Sequence, residues 1–251
     1  MQGVLYICHG SRVPGALRES AGLIRSVRDK IDVPLQEVCF LEIAAPDIQQ
    51  GIASLADKGA TRIAIIPVLL LGAGHYYNDI PKTVRQVQQQ YPHVHFTYGK
   101  PLGVQERLVD VLADRIHEIQ APVTRSTGII LAGRGSRSPQ TKRDIEKIAS
   151  MLEKRINAQS VEPCFLAACE PSFEEVLASA LQKKFTHIFI VPYLWFTGFL
   201  MRDLKKKIAA LHDPTIILCR HMGDHPSMKQ ALADRVNETL VEEVPLWHLS
   251  R

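Results

Sequence analysis

The chain has no C-x-x-C pair, no apolar run long enough to cross a bilayer and no stripe of Lys and Arg, and each absence removes a class of function. Its five cysteines (Cys8, Cys39, Cys164, Cys169, Cys219) are odd in number and scattered, which argues against a disulfide framework or a zinc ribbon and suits a reducing compartment. The longest apolar run, Ile63 to Gly74, holds 12 residues and includes Pro67; a membrane-spanning helix needs roughly 18 or more. A secretory leader is not expected, since the Val4–Cys8 run has no basic residue before it and meets His9 and Arg12 at once. A cytoplasmic protein is the expectation. The balance of 30 Lys+Arg against 26 Asp+Glu gives a net charge of +4, too small and too evenly mixed for a nucleic-acid footprint, though it leaves room for an anionic small molecule. With 46% apolar and 22% charged residues, the composition is that of a folded globular chain. Its 251 residues suit one large domain or two of about 125.

What is present is a repeat. His9-Gly10-Ser11-Arg12 matches Arg134-Gly135-Ser136-Arg137, Cys39-Phe40-Leu41 matches Cys164-Phe165-Leu166, and Pro46 matches Pro171, all at an offset of 125 residues. The stretch from Thr61 to Pro67 returns at the same offset as Thr186 to Pro192. A shared offset over separated blocks indicates two fused copies of one unit. They meet near Gln120–Thr127, giving an N-terminal lobe over 1–121 and a C-terminal lobe over 122–251.

Within each copy, short β-branched runs alternate with amphipathic segments. Strands are predicted at Gly3–Cys8, Leu35–Leu41, Ile63–Pro67 and His93–Tyr98, with helices at Ala16–Lys30, Asp47–Lys58, Pro81–Gln90 and Val104–Ile119. Pro46 and Gly59 bracket the second helix. The second copy repeats the order and ends with a strand at Thr215–Cys219 and a helix over Pro226–Val241. This alternation predicts an α/β protein of two similar doubly wound lobes, each with a four-stranded parallel sheet covered on both faces.

Duplication supplies an internal control, because residues required for folding should persist in both copies. After strand one His9 faces Arg134, after strand two Glu42 faces Ala167, and beyond strand three His75 falls opposite Leu200, or Phe199 if one residue is skipped. All three metal-capable residues are in the first copy. Each follows a different strand at its carboxyl end, where open parallel sheets bind ligands. Singly, each could be an ordinary turn cap, helix-entry charge or loop residue. Together, two imidazoles and a carboxylate suit a divalent first-row metal with coordination positions left for a substrate. Gly72-Ala73-Gly74 before His75 permits unusual backbone, and with Tyr76, Tyr77 and Asn78-Asp79 it could form a lid or merely a long crossover. The Gly133–Ser136 turn lacks the spacing of a nucleotide fingerprint. His93 with His95, and His221 with His225, read as surface strand and loop residues. Trp195 and Trp247 read as packing.

The His9–Arg12 turn, the Phe40-Leu41-Glu42 block, the Val68–Leu71 run with His75, and Asp79-Ile80-Pro81 resemble, over both halves of the chain, the class II chelatases that insert metal into tetrapyrroles. The likeness is strongest to those of siroheme biosynthesis. That resemblance implies a two-lobed fold with the macrocycle in a cleft, and His9, His75 and Glu42 as catalytic and metal-handling residues. It implies insertion of Fe2+ into sirohydrochlorin with release of two protons. The partners implied are sirohydrochlorin and a divalent metal substrate (Fe2+, or Co2+ or Ni2+), with no prosthetic group, no nucleic acid, no membrane, and a monomer. Arg12, Arg134, Arg137 and Lys100 are candidate anchors for the substrate carboxylates. A cobalt chelatase of anaerobic cobalamin synthesis, and a non-catalytic metal or tetrapyrrole carrier, are the alternatives.

Overall fold

The computed structural model describes residues 1–156 and 158–242. Its first sheet has the order β2-β1-β3-β4, formed by β1 (Gln2–Cys8), β2 (Leu35–Phe40), β3 (Arg62–Pro67) and β4 (His95–Tyr98). The second has the order β6-β5-β7-β8, from β5 (Thr127–Gly133), β6 (Val161–Phe165), β7 (His187–Tyr193) and β8 (Ile216–Leu218). Every pairing is parallel. Parallel sheets need both faces covered, and the strand interiors comply: Val4 to Ile7 and Ile63 to Ile66 are buried, as are Ile129 to Ala132 and Ile188 to Val191.

The repeat extends to register. Val4 pairs with Gln36 and Ile129 with Val161; Gln2 pairs with Arg62 and Thr127 with His187. Each pair moves on by 125. At the last strand the offset falls: Ile63 pairs with Phe96 but Ile188 with Ile216, so 216 − 96 = 120, and the second copy is shorter by five residues between its third and fourth strands.

The covering helices are α1 (Pro14–Arg28), α2 (Ile48–Asp57), α3 (Ile80–Gln88) and α4 (Glu106–His117), then α5 (Pro139–Ile156), α6 (Phe173–Gln182), α7 (Phe199–Ala210) and α8 (Pro226–Glu242). Helix α2 opens on a capping box. The Asp47 carboxylate accepts from Gln50 N at 2.8 Å while the Gln50 side chain accepts from Asp47 N at 2.9 Å, satisfying donors that the helix itself cannot. At α6, Ser172 and Glu175 repeat the device. The helix predicted from Pro81 begins at Ile80 and is preceded by a π-helical turn, His75–Asp79. The strand predicted from His93 begins at His95.

The turn after each first strand is fixed by a glycine at positive φ, Gly10 at 92° and Gly135 at 84°. A Cβ on Gly10 would stand 1.8 Å from the Glu42 carbonyl oxygen, and one on Gly135 2.0 Å from that of Ala167. In both copies only glycine lets this turn lie directly on the loop that follows the second strand.

The chain divides into two compact units: Met1–Gly103 with the α8 residues from Lys229, and Val104–Met228. The lobes expected over 1–121 and 122–251 follow the sequence repeat, whereas the packing exchanges the final helix of each copy. In the first unit Arg235 of α8 donates to Leu102 O at 2.8 Å, and Lys30 donates to the Gln230 side chain at 3.1 Å. In the second, Arg115 of α4 is buried and donates to His221 O at 3.0 Å and Met222 O at 2.8 Å. The first core gathers Leu5, Ile7, Ile52, Ile63 and Phe96, and the second Ile130, Phe173, Ile190 and Leu204. Trp195 is buried; Trp247 lies outside the described residues. No described helix is long and apolar enough to cross a membrane.

Candidate metal centre

The three loops leaving β1, β2 and β3 in the first unit converge. His9 follows β1 directly, Glu42 stands just past β2, and His75 opens the π turn beyond β3. One ligand atom from each lies within 4.8 Å of the others, and no other such cluster of three occurs among the described residues. His9 Nε2 is 3.4 Å from Glu42 Oε1, and the two imidazoles meet edge to face with centroids 4.8 Å apart. Ligand atoms held at about 2.1 Å from one ion are about 3–4 Å apart, so small side-chain rotations suffice to close this trio on a metal.

Backbone contacts explain the convergence. Glu42 N donates to His9 O at 3.2 Å and Leu41 N to Cys8 O at 2.8 Å, which locks the β2 loop against the Gly10 turn. The π turn is held by Tyr77 N donating to Ala73 O at 3.0 Å and by the Tyr98 hydroxyl donating to Tyr76 O at 2.8 Å. Tyr76 also stacks on Tyr98 with centroids 5.0 Å apart. Burial pushes the Tyr76 phenol up to about 12, so it packs as a neutral ring. Cys8, next to His9, is likewise pushed up to about 12 by burial. It stays a thiol and offers no thiolate ligand.

Both histidines turn Nδ1 toward an oxygen acceptor. His9 Nδ1 is 3.3 Å from Gly10 O and His75 Nδ1 is 2.7 Å from Asp79 Oδ2. At His75 the carboxylate at Nδ1 selects the tautomer protonated there and leaves the Nε2 lone pair as the ligand, whereas His9 has an oxygen beside each ring nitrogen, Gly10 O at Nδ1 and Glu42 Oε1 at Nε2. The histidines are half-buried and Glu42 is exposed, a site open to an arriving ion. Asp79 is the participant that sequence reasoning missed. Its signal was the i,i+4 spacing from His75, which places two side chains on one helical face, but the residue read as part of a lid or crossover and of the Asp79-Ile80-Pro81 motif, with no partner assigned.

Of the candidate anchors, Arg12 is exposed on the His9 turn, and Lys100 pairs with Glu242 at 3.1 Å. Arg134 and Arg137 are exposed on the turn after β5 in the second unit. There Ala167 is exposed, Leu200 is half-buried in α7, and Phe199 is 75% exposed. His93 and His95 are exposed near β4 and outside the trio. His225 pairs with Asp114 at 3.2 Å.

A duplicated parallel α/β fold with a His-Glu-His cluster at one carboxyl edge is the plan of a metal chelatase. The chain belongs to the CbiX family: the family's sequence pattern matches residues 3–119 and again 128–239, one match per copy. It is 40% identical to a sirohydrochlorin ferrochelatase of Priestia megaterium, over 96% of this chain and 91% of that one. It is 34% identical to a sirohydrochlorin cobaltochelatase of the same organism, over 98% of this chain and 82% of that one. Among solved structures, SirB from Bacillus subtilis with Fe3+ superposes with a TM-score of 0.88 at 40% identity, covering 96% of each chain. A cobalt complex of the sirohydrochlorin chelatase SirB from Bacillus subtilis subspecies spizizenii gives 0.83 at 36%, covering 95% of this chain and 94% of that one.

Proposed function

We propose that the chain inserts Fe2+ into sirohydrochlorin to form siroheme, with His9, Glu42 and His75 as its catalytic and metal-handling residues. The observation that carries this reading is the convergence of the three side chains within 4.8 Å, in a chain 40% identical over nearly its whole length to a sirohydrochlorin ferrochelatase. Insertion requires the ion to shed water while two pyrrole protons leave. A neutral imidazole holds the ion through Nε2 and accepts a proton once the ion passes into the ring. Glu42 offsets part of the dication's charge and, being exposed, hands protons to solvent. Arg12, Arg134 and Arg137 are the cations we assign to the substrate carboxylates; Lys100, already paired with Glu242, is the weakest of the four. In this reading the metal is substrate, no resident prosthetic group takes part, and a monomer in the cytoplasm suffices.

Cobalt is the second reading for the metal, because an imidazole–carboxylate set binds Co2+ more tightly than Fe2+ and the cobaltochelatase relative matches 98% of this chain. Anaerobic mixing of apo-protein with sirohydrochlorin and either Fe2+ or Co2+, followed by absorption, tests both. Catalytic turnover that favours Fe2+ supports the proposal, and turnover favouring Co2+ replaces it. A spectrum that stops changing at one equivalent per chain would make the protein a carrier.

A further inference from the structure

Glu42 is followed by a residue whose conformation and exposure both run against its type. Ile43 has a φ of 72°, and across it Ala44 N donates to Glu42 O at 2.8 Å. A bond between residues two apart over a positive φ is the γ-turn of the rare, strained hand. For a β-branched side chain positive φ is a genuine outlier. The fold requires positive φ here in both copies, since Ala168, 125 residues on, has a φ of 55°. The second copy meets that demand with a small residue, the first with a large branched one. Burial does not compensate, because Ile43 is 55% exposed.

An exposed isoleucine in a strained turn gains nothing from packing or local propensity, and strain of this kind gathers at ligand contacts. A second exposed apolar side chain, Tyr77 at 45%, stands two residues beyond His75. Of the exposed large apolar side chains among the described residues, these two stand within two residues of a member of the metal trio. The ligand that suits them is flat and largely apolar, with its charges at the rim, as a tetrapyrrole is.

We infer that Ile43, held out of its loop by the γ-turn, is a contact residue for the tetrapyrrole face beside Glu42, fixing where the ring lies relative to the metal trio. This rests on the chelatase reading above. Ile43→Gly frees the backbone and removes the contact, and Ile43→Asn keeps a side chain that tolerates positive φ but is polar. For both we expect a Tm at or above wild type, by about 2–4 °C for Gly. We also expect KM for sirohydrochlorin to rise about tenfold, as befits loss of one buried aliphatic contact, with Co2+ affinity unchanged. Metal-free sirohydrochlorin binding, followed by absorption or fluorescence, should weaken by the same factor. The control Ala168→Gly should leave KM where it is. Unchanged KM and tetrapyrrole affinity in both Ile43 variants, with wild-type insertion normal, would overturn this inference alone. A falling Tm with parallel loss of Co2+ affinity would make Ile43 structural and also overturn it. A wild type that bound no tetrapyrrole would remove both the inference and the reading beneath it.

Discussion

Beyond the carboxyl ends of β1, β2 and β3 stand His9, Glu42 and His75, whereas 125 residues on, beyond β5, β6 and β7, stand Arg134, Ala167 and, in the first turn of α7, Leu200. The backbone after the first two strands is alike in both, while beyond the third strand only the first copy has the π turn. Gly10 and Gly135 share a positive φ and an approach that no Cβ could survive, the residues after Glu42 and Ala167 share another, and capping boxes start α2 and α6. The second unit folds around an arginine, an alanine and a leucine at these positions, so the fold does not require two imidazoles and a carboxylate. What the first copy holds there and the second lacks is a cluster able to ligate a metal ion, the difference on which the proposed function rests.

The largest expected effect tests that asymmetry directly. His9→Ala and His75→Ala should each lower insertion by about 10²–10⁴-fold, the contribution typical of a positioned proton-transfer group, while the far-UV spectrum stays wild type. Leu200→Ala and Ala167→Ser should leave turnover within a few-fold. Equal losses at Leu200 and His75, with both proteins folded, would break the comparison.

Next in size are the shared glycines, where the copies should behave alike. Gly10→Ala and Gly135→Ala each force a methyl group into a carbonyl oxygen, at 1.8 and 2.0 Å, in a conformation that L-residues avoid. Each should cost more than about 2 kcal/mol of unfolding free energy, measured in denaturant. If only Gly10→Ala were costly, the glycine would belong to the site and not to the fold.

The trio was legible in the sequence because the copies could be subtracted from one another, and subtraction isolates residues that differ in kind. It could not isolate Asp79, whose role depends on a π turn that brings it to His75, nor Ile43, whose oddity lies in a dihedral angle. The run of strands and helices along the chain and the parallel sheets followed from alternating periodicities and the repeated offset; the order of the strands within each sheet did not. The division into units did not: α4 and α8 are exchanged, and this rests on tertiary contacts such as Arg115 with His221 and Arg235 with Leu102, which no local pattern announces.

Asp79 therefore supplies the intermediate effect. Asp79→Asn removes the anion that orients the His75 tautomer, and Co2+ affinity should fall about 10–100-fold, the usual cost of losing such a partner, with Asp79→Glu recovering part of it. Glu42→Gln should weaken Co2+ binding as well by removing the anionic ligand. In wild type, Co2+ affinity should fall as pH is lowered from about 8 to 5.5, because protons compete for imidazole. Loss of metal from a His93→Ala/His95→Ala double variant, with the trio intact, would relocate the site.

The smallest effects lie in the capping boxes, where the copies use different pairs for one task. Asp47→Ala and Ser172→Ala should each cost about 1 kcal/mol, about 2–4 °C in Tm, and the two should add because they sit in different units. The pairs part company on acidification. In α6 the reciprocal acceptor is Glu175, whose carboxylate is held below its ordinary range by bonds from the Ser172 backbone N–H and then its hydroxyl. In α2 it is Gln50, which does not titrate. A carboxylate depressed in the folded state contributes stability that is complete above its unfolded pKa and lost as pH falls through the folded one. Glu175→Gln should thus destabilise at neutral pH, and the difference from wild type should close as the solution is taken below the carboxylate range. Gln50→Ala should lose stability by a similar amount across the range. A pH-independent deficit in Glu175→Gln would mean that the box works through geometry alone and that the charge at α6 adds nothing.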